Sequence, residues 1–103
     1  MNNIIIADST CLIGLERISQ LEILPQLFTS ILIPPKIAEE FGINLSWLEI
    51  KNITDRGLVF ALKMLVDEGE AEAIALAYET NLKIILDDRQ ARKVARNMKI
   101  IFI

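Results

Sequence analysis

The sequence contains no histidine and only one cysteine, Cys11. The absence of histidine excludes the serine–histidine and cysteine–histidine pairs of many hydrolases, and most zinc sites with them. A single cysteine can form neither an intramolecular disulfide nor a thiolate cage for a metal ion. A metal site in this chain must therefore draw mainly on oxygen ligands, which the 14 aspartate and glutamate residues supply.

Long apolar runs are also missing. None approaches the roughly 18 residues that a membrane-spanning helix needs, and the N-terminus lacks the basic region that opens a signal peptide. With 103 residues, 52% of them hydrophobic, the chain is long enough to build one domain with a real core. We therefore expect a single cytoplasmic domain over residues 1–103, without a membrane partner.

Positive charge is scarce overall, since the formal net charge is −3, but it is unevenly distributed. Five of the 11 basic residues lie in one short segment, namely Arg89, Arg92, Lys93, Arg96 and Lys99. A local basic face can contact phosphates even on an acidic domain. A solvated helix face is the simpler interpretation of the same segment.

Acidic residues follow two apolar runs. Residues 4–7 lead directly into Asp8, and residues 84–86 lead into Asp87 and Asp88. A continuous apolar run of this kind is typical of a strand buried on both faces of a parallel sheet. Ligands of α/β sheets bind beyond the carboxyl ends of such strands, so these aspartates mark a candidate site. Asp8 or Asp88 could equally do no more than cap the following helix.

Strands and helices alternate along the chain, which predicts an α/β fold with a mainly parallel sheet and right-handed crossovers. Apolar runs predict strands at residues 4–7, 31–33, 47–53, 83–86 and 100–103. Helical periodicity predicts helices from Ser9 or Thr10 to residue 18, and at residues 21–28, 36–41, 54–66, 70–80 and 89–97. Because residues 100–103 are wholly apolar, we expect another copy of the chain to cover them in a homodimer or higher oligomer.

Two helical positions between the strand ends supply further acids. Glu40, or its neighbour Glu39, lies near the end of one helix, and Glu70, or Glu72, lies near the start of another. Solvent exposure or the helix dipole would explain such glutamates without a metal. Carboxylates gathered without a cation repel one another, however, and oxygen-only sites suit Mg²⁺ and Mn²⁺. Together with Asp8, these acids predict a Mg²⁺ or Mn²⁺ site that activates water and neutralises phosphodiester charge.

Four segments carry the candidate acids in order along the chain: IIIADSTCLI at residues 4–13, IPPKIAEEF at residues 33–41, GEAEAIALA at residues 69–77 and ILDDRQARKVA at residues 85–95. Taken in this order, they resemble the motifs of the PIN-domain family of metal-dependent nucleases. The resemblance covers nearly the whole chain and is closest to small prokaryotic toxin-like proteins. It implies a three-layer α/β/α fold with a mainly parallel sheet. By this resemblance, we expect the segment between residues 41 and 69 to be shorter than in typical members, and the domain to be shortened at the C-terminus.

The resemblance also implies roles for individual residues. It assigns catalytic and metal-binding roles to Asp8, Glu40, Glu70 and Asp87, with Asp88 as a further metal ligand. Asp8 and Asp87 would hold the ion directly, while Glu40 and Glu70 would position water or a second ion.

The hydroxyls of Ser9 or Thr10 would support a ligand carboxylate or water. The basic segment would contact nucleic acid through Arg89, Arg92, Lys93 and Arg96. The implied function is a Mg²⁺- or Mn²⁺-dependent endoribonuclease that acts on RNA as the toxin of a toxin–antitoxin pair, with an antitoxin protein as partner.

Three other functions compete with this one. A PIN-like module that binds nucleic acid or protein without cleaving it would keep the same motifs. A phosphoacceptor receiver domain would need an acidic pair where Asp8 stands alone, and an acceptor aspartate where Ile33 leads into Pro34. A haloacid-dehalogenase-like phosphatase would need a second aspartate where Thr10 stands.

Overall fold

The structure, a computed structural model, describes residues 3–103. Within this range four strands form one sheet: β1 (Ile4–Ala7), β2 (Ser30–Ile33), β3 (Leu48–Ile50) and β4 (Lys83–Ile85). Their order in the sheet is β3-β2-β1-β4, and every neighbouring pair is parallel. The predicted α/β fold with a mainly parallel sheet is therefore confirmed.

Helices connect these strands and give the α/β/α layering. Within residues 3–103 they are α1 (Ser9–Arg17), α2 (Ile23–Leu27), α3 (Pro35–Phe41), α4 (Arg56–Leu62), α5 (Glu68–Thr80) and α6 (Arg89–Asn97). None of the helices in this part of the chain is long and apolar enough to cross a bilayer. The central helix is α5, which contacts β1, β4, α3, α4 and α6. Its buried alanines allow this close approach because they add little side-chain volume.

Aspartates begin four of these helices. Their carboxylates accept backbone N–H groups three residues ahead, at Asp8, Asp55, Asp67 and Asp88. Two predicted boundaries change as a result of local hydrogen bonding. Asp8, rather than Ser9 or Thr10, caps the first helix. The helix predicted at residues 70–80 begins at Glu68, because Asp67 and Glu70 form a capping box.

Two predicted elements are shorter in the structure. The helix predicted to reach residue 66 ends at Leu62, because residues 63–65 are exposed and bury no apolar face that would hold a further turn. The strand predicted at residues 47–53 is reduced to β3 at the sheet edge, and Ile53 turns into the core with 6% of its surface exposed.

The strand predicted at residues 100–103 is only an isolated parallel bridge between Phe102 and Ile84. The amide of Ile84 donates to the carbonyl of Ile101 over 3.1 Å, and the amide of Ile103 donates to the carbonyl of Ile84 over 2.9 Å. The last residues of the chain therefore lie along the outer edge of β4, beside the end of the sheet that carries the acids.

Candidate active site

Asp8 lies directly after β1, where Ile5, Ile6 and Ala7 are all buried. Only 2% of Asp8 is exposed, and its Oδ1 accepts the backbone N–H of Cys11 over 2.9 Å. Burial is the largest cause that raises the pKa of Asp8, and the nearby charge of Asp87 raises it further. Hydrogen bonds from the backbone N–H groups of Cys11 and Asp87 lower this pKa, but by less. Asp8 is thus a helix cap and, at the same time, a buried acid next to a second carboxylate.

A pair of aspartates, Asp87 and Asp88, follows the neighbouring strand β4. Because Ala7 of β1 pairs with Ile85 of β4 in parallel register, both strand ends open on the same edge of the sheet. Asp87 is exposed at this edge. The neighbouring Asp88 caps α6, since its Oδ2 accepts the backbone N–H of Ala91 over 2.9 Å.

Glu70 interacts electrostatically with acids at the ends of both strands. Burial raises the pKa of Glu70 to about 7, against the hydrogen bond from the Asp67 N–H, and the charges of Asp67, Asp88 and Asp8 contribute in the same upward direction. The charges of acids that follow both β1 and β4 therefore act on Glu70. The arrangement stores like-charge repulsion that a bound cation would relieve.

Glu72, the alternative to Glu70, has a different environment. It is only 4% exposed, and its Oε1 accepts the backbone N–H of Lys36 over 2.8 Å. Its Oε2 accepts from Nη1 of Arg56 over 3.1 Å. Glu72 therefore ties α5 to the first turn of α3 and to α4, and its carboxylate is already engaged in holding the helices together.

The other sequence alternative concerns Glu39 and Glu40. The side chain of Glu39 is 74% exposed and pairs with Nζ of Lys36 over 3.4 Å. The carboxylate of Glu40 instead lies against Gly69, the residue before Glu70. Glu40 is therefore the glutamate of α3 that approaches the start of α5.

The acids converge loosely. Among residues 3–103, no group of three or more acidic or cysteine side chains lies close enough together to hold a metal ion. The oxygen-only donor set fits Mg²⁺ or Mn²⁺ by its chemistry. Asp87 and Glu40 are exposed, whereas Asp8 is buried, so the set combines one fixed acid with two that face solvent.

The thiol of Cys11 borders the same acids. Burial and the charges of Asp8 and Asp87 raise its pKa to about 11. The thiol is therefore neutral at physiological pH and is no nucleophile. Ser9 and Thr10, whose hydroxyls were predicted to support the site, both lie in the first turn of α1. Thr10 and Asp87 also line a cavity at the strand ends.

A basic groove adjoins this cavity. It is lined by Asp87 and by four basic residues of α6, namely Arg89, Arg92, Lys93 and Arg96. Arg92 also lines the cavity at the strand ends, and its Nε donates to the carbonyl of Leu86 over 2.6 Å. Within residues 3–103, ion pairs involve only the basic residues Lys36, Arg56 and Lys63, so the positive charge of α6 is not neutralised by any ion pair there.

A comparison with protein families matches residues 4–103 to a family model described as PIN domain. The chain belongs to the PIN-domain family. PIN domains are typically nucleases that use divalent metal ions, so membership indicates a nuclease-type function and a nucleic-acid substrate for this PIN domain. A comparison with curated proteins gives no match.

Two features of this PIN domain were not indicated by its motifs. One is the close approach of Glu40 to Gly69, for which the only sequence signal is a glycine just before the predicted helix. The other is Phe102, whose ring lies within 6 Å of two arginines of α6. The apolar run at residues 100–103 does not indicate this contact, because the contact depends on how α6 packs.

Proposed function

We propose that this PIN domain is a Mg²⁺- or Mn²⁺-dependent endoribonuclease that hydrolyses phosphodiester bonds of RNA. The observation that carries the proposal is the juxtaposition of buried Asp8 with Asp87 at the ends of two neighbouring parallel strands. Like charges at this edge, next to a groove of positive charge, suit a site that binds a cation on one side and phosphates on the other.

In the proposed site, Asp8 and Asp87 hold the ion, and Glu40 and Glu70 position water or a second ion. When bound, a divalent ion activates water and neutralises charge on the phosphodiester. The chain contributes rigidity, because the backbone N–H of Cys11 fixes one oxygen of Asp8. Asp88 is a further candidate ligand, although its Oδ2 already caps α6.

We also propose that residues 1–103 act as one domain that serves as the toxin of a toxin–antitoxin pair and assembles as a homo-oligomer. Exposed apolar side chains support the existence of protein partners, since Phe60 is 69% exposed, Met64 79% and Ile101 64%. Phe60 and Met64 are one helical turn apart at the end of α4, and neighbouring exposed apolar side chains commonly mark a contact with protein.

The test is cleavage of a labelled RNA by purified protein with Mn²⁺. We expect Asp8→Asn and Asp87→Asn to abolish cleavage, because each removes a ligand charge. Glu39→Gln is the matched control, since Glu39 points to solvent and pairs with Lys36, and it should cleave like the parent. Cleavage that persists in Asp8→Asn would contradict the proposed site.

A second candidate function is a binding module that retains the fold without cleaving. The distance between the acids favours it, because no three of them lie at ligand distance within the described part of the chain. RNA binding by the parent protein with no Mn²⁺-dependent cleavage would select this function over the nuclease.

A further inference from the structure

Two arginines of α6 lie over the ring of Phe102. Cζ of Arg92 lies 5.7 Å from the ring centroid, and Cζ of Arg96 lies 5.5 Å from it. A guanidinium within about 6 Å of an aromatic centroid is attracted by the ring quadrupole. The two arginines are one helical turn apart on the same face of α6, so a single ring can orient both of them.

The backbone around Phe102 is held in place by β4. Hydrogen bonds between Ile84 and the residues on either side of Phe102 fix the bridge, at 3.1 Å to Ile101 and 2.9 Å to Ile103. Ile101 and Ile103 are exposed, whereas Phe102 is partly buried and packs against the core. The ring is therefore presented to α6 by the edge of the sheet.

Arg92 connects this stack to the acids. Its Nε donates to the carbonyl of Leu86, the residue before Asp87, over 2.6 Å. Arg92 and Asp87 line both the basic groove and the cavity at the strand ends, so the two spaces adjoin each other. An anion bound between the arginines would lie directly beside the candidate active site.

The charge balance of the stack points to an anionic ligand. Holding Arg92 and Arg96 over one ring brings two positive charges together, and within residues 3–103 neither forms an ion pair. Like charges in this arrangement repel, and a phosphate between them would remove the repulsion. Guanidinium groups also match phosphate geometry and donate to it in pairs.

We infer that Phe102 is the positioning residue of a phosphate-binding pair, Arg92 and Arg96, which holds the backbone of the RNA beside Asp87. This inference rests on the proposed function, because it takes RNA as the ligand. Phe102 contributes orientation and no charge of its own. Arg92 and Arg96 contribute the charge that the phosphates neutralise.

The test is binding of a fluorescein-labelled oligouridylate in metal-free buffer, read by fluorescence anisotropy at several salt concentrations. Phe102→Leu should weaken binding about 3–10-fold, since each exposed cation–π contact contributes modestly. The slope of log affinity against log salt should stay unchanged, because no charge is lost. Arg96→Gln should instead reduce the magnitude of that slope by about 0.7, the loss of one phosphate contact on a single strand.

Two controls separate positioning from folding. Phe102→Tyr keeps an aromatic ring and should restore binding to within about twofold of the parent. Phe60→Leu makes the same substitution on α4, where the ring is 69% exposed, and should leave binding unchanged. Phe102→Leu binding like the parent, or Phe60→Leu weakening binding equally, would overturn the inference.

Because binding is read without metal, this result is independent of catalysis. Weaker binding in Phe102→Leu together with no cleavage by the parent would support the inference and contradict the nuclease proposal. Cleavage by the parent with unchanged binding in Phe102→Leu would overturn the inference and leave the nuclease standing. No binding of the oligonucleotide by the parent would overturn the inference as well.

Discussion

The carboxylate of Glu40 occupies the space that a side chain on Gly69 would fill. A Cβ on Gly69 would lie 2.6 Å from Oε1 of Glu40, closer than non-bonded atoms approach. Gly69 directly precedes Glu70, and α3 packs against α5 here. The missing side chain therefore allows a glutamate from each helix to approach the same edge of the site.

Gly69→Ala should separate activity from stability. Alanine is favoured over glycine in a helix by up to about 1 kcal/mol. The new Cβ would also lie 3.3 Å from Cγ1 of Ile37, and a small shift of that side chain offsets part of this gain, so the melting temperature should stay the same or rise slightly. The new Cβ displaces the flexible carboxylate of Glu40, and we expect Mn²⁺-dependent RNA cleavage to fall about 10–100-fold.

Gly57→Ala is the matched control for this change. Gly57 occupies the second position of α4, as Gly69 does in α5, and its Cβ would lie 3.4 Å from Oδ1 of Asp55. It should affect stability in the same direction and leave cleavage unchanged. Equal activity of the two variants would show that Glu40 takes no part in the site.

Glu70 should make the metal-free protein less stable as pH rises. Its pKa increases from 4.5 to about 7 on folding, so the folded state binds the extra proton. The stability that this protonation contributes is complete below pH 4.5 and is lost as pH rises through about 7. Glu70→Gln keeps the capping box, since glutamine also serves at that position.

We therefore expect Glu70→Gln to unfold at a higher denaturant concentration than the parent at about pH 8.5, and the two proteins to converge at about pH 4.5. Urea titrations at both pH values measure the difference. If Glu70→Gln is more stable to urea than the parent by the same amount at both pH values, Glu70 is not the group that titrates.

We expect the replacement of Glu72, unlike that of Glu70, to lower the stability of the protein. Glu72→Gln weakens a part-buried charge-assisted bond to Arg56 and one to the backbone N–H of Lys36, and should cost about 1–3 kcal/mol of unfolding free energy. The increase in melting temperature on adding Mn²⁺ should persist. If Mn²⁺ did not raise the melting temperature of Glu72→Gln, and this variant lost little stability, then Glu72 rather than Glu70 would belong to the metal site.

The sequence predicts those strands and helices whose ends are marked by residues within or next to them. The bounds of β1, and of α6 with its Asp88 cap, agree with the structure because an apolar run or a capping residue marks each end. The division of roles between Glu70 and Glu72 could not be predicted, because both are glutamates of one helix. Only the packing of α3 and α4 shows that Glu72 is engaged.

Tertiary packing also explains the two contacts that the motifs do not indicate. The approach of Glu40 to Gly69 depends on the crossing of α3 and α5. The stacking of Arg92 and Arg96 on Phe102 depends on a single bridge to Ile84. Neither spacing in the sequence nor composition contains this information.

The most direct test is the melting temperature of the parent and of Asp8→Asn, each with and without millimolar Mn²⁺. Asparagine caps a helix about as well as aspartate, so the variant should fold. Burial and the charge of Asp87 make ionised Asp8 unfavourable, so metal-free Asp8→Asn should be at least as stable as the parent. We expect Mn²⁺ to raise the melting temperature of the parent and to raise that of Asp8→Asn far less. An equal increase in both proteins would contradict a metal site centred on Asp8.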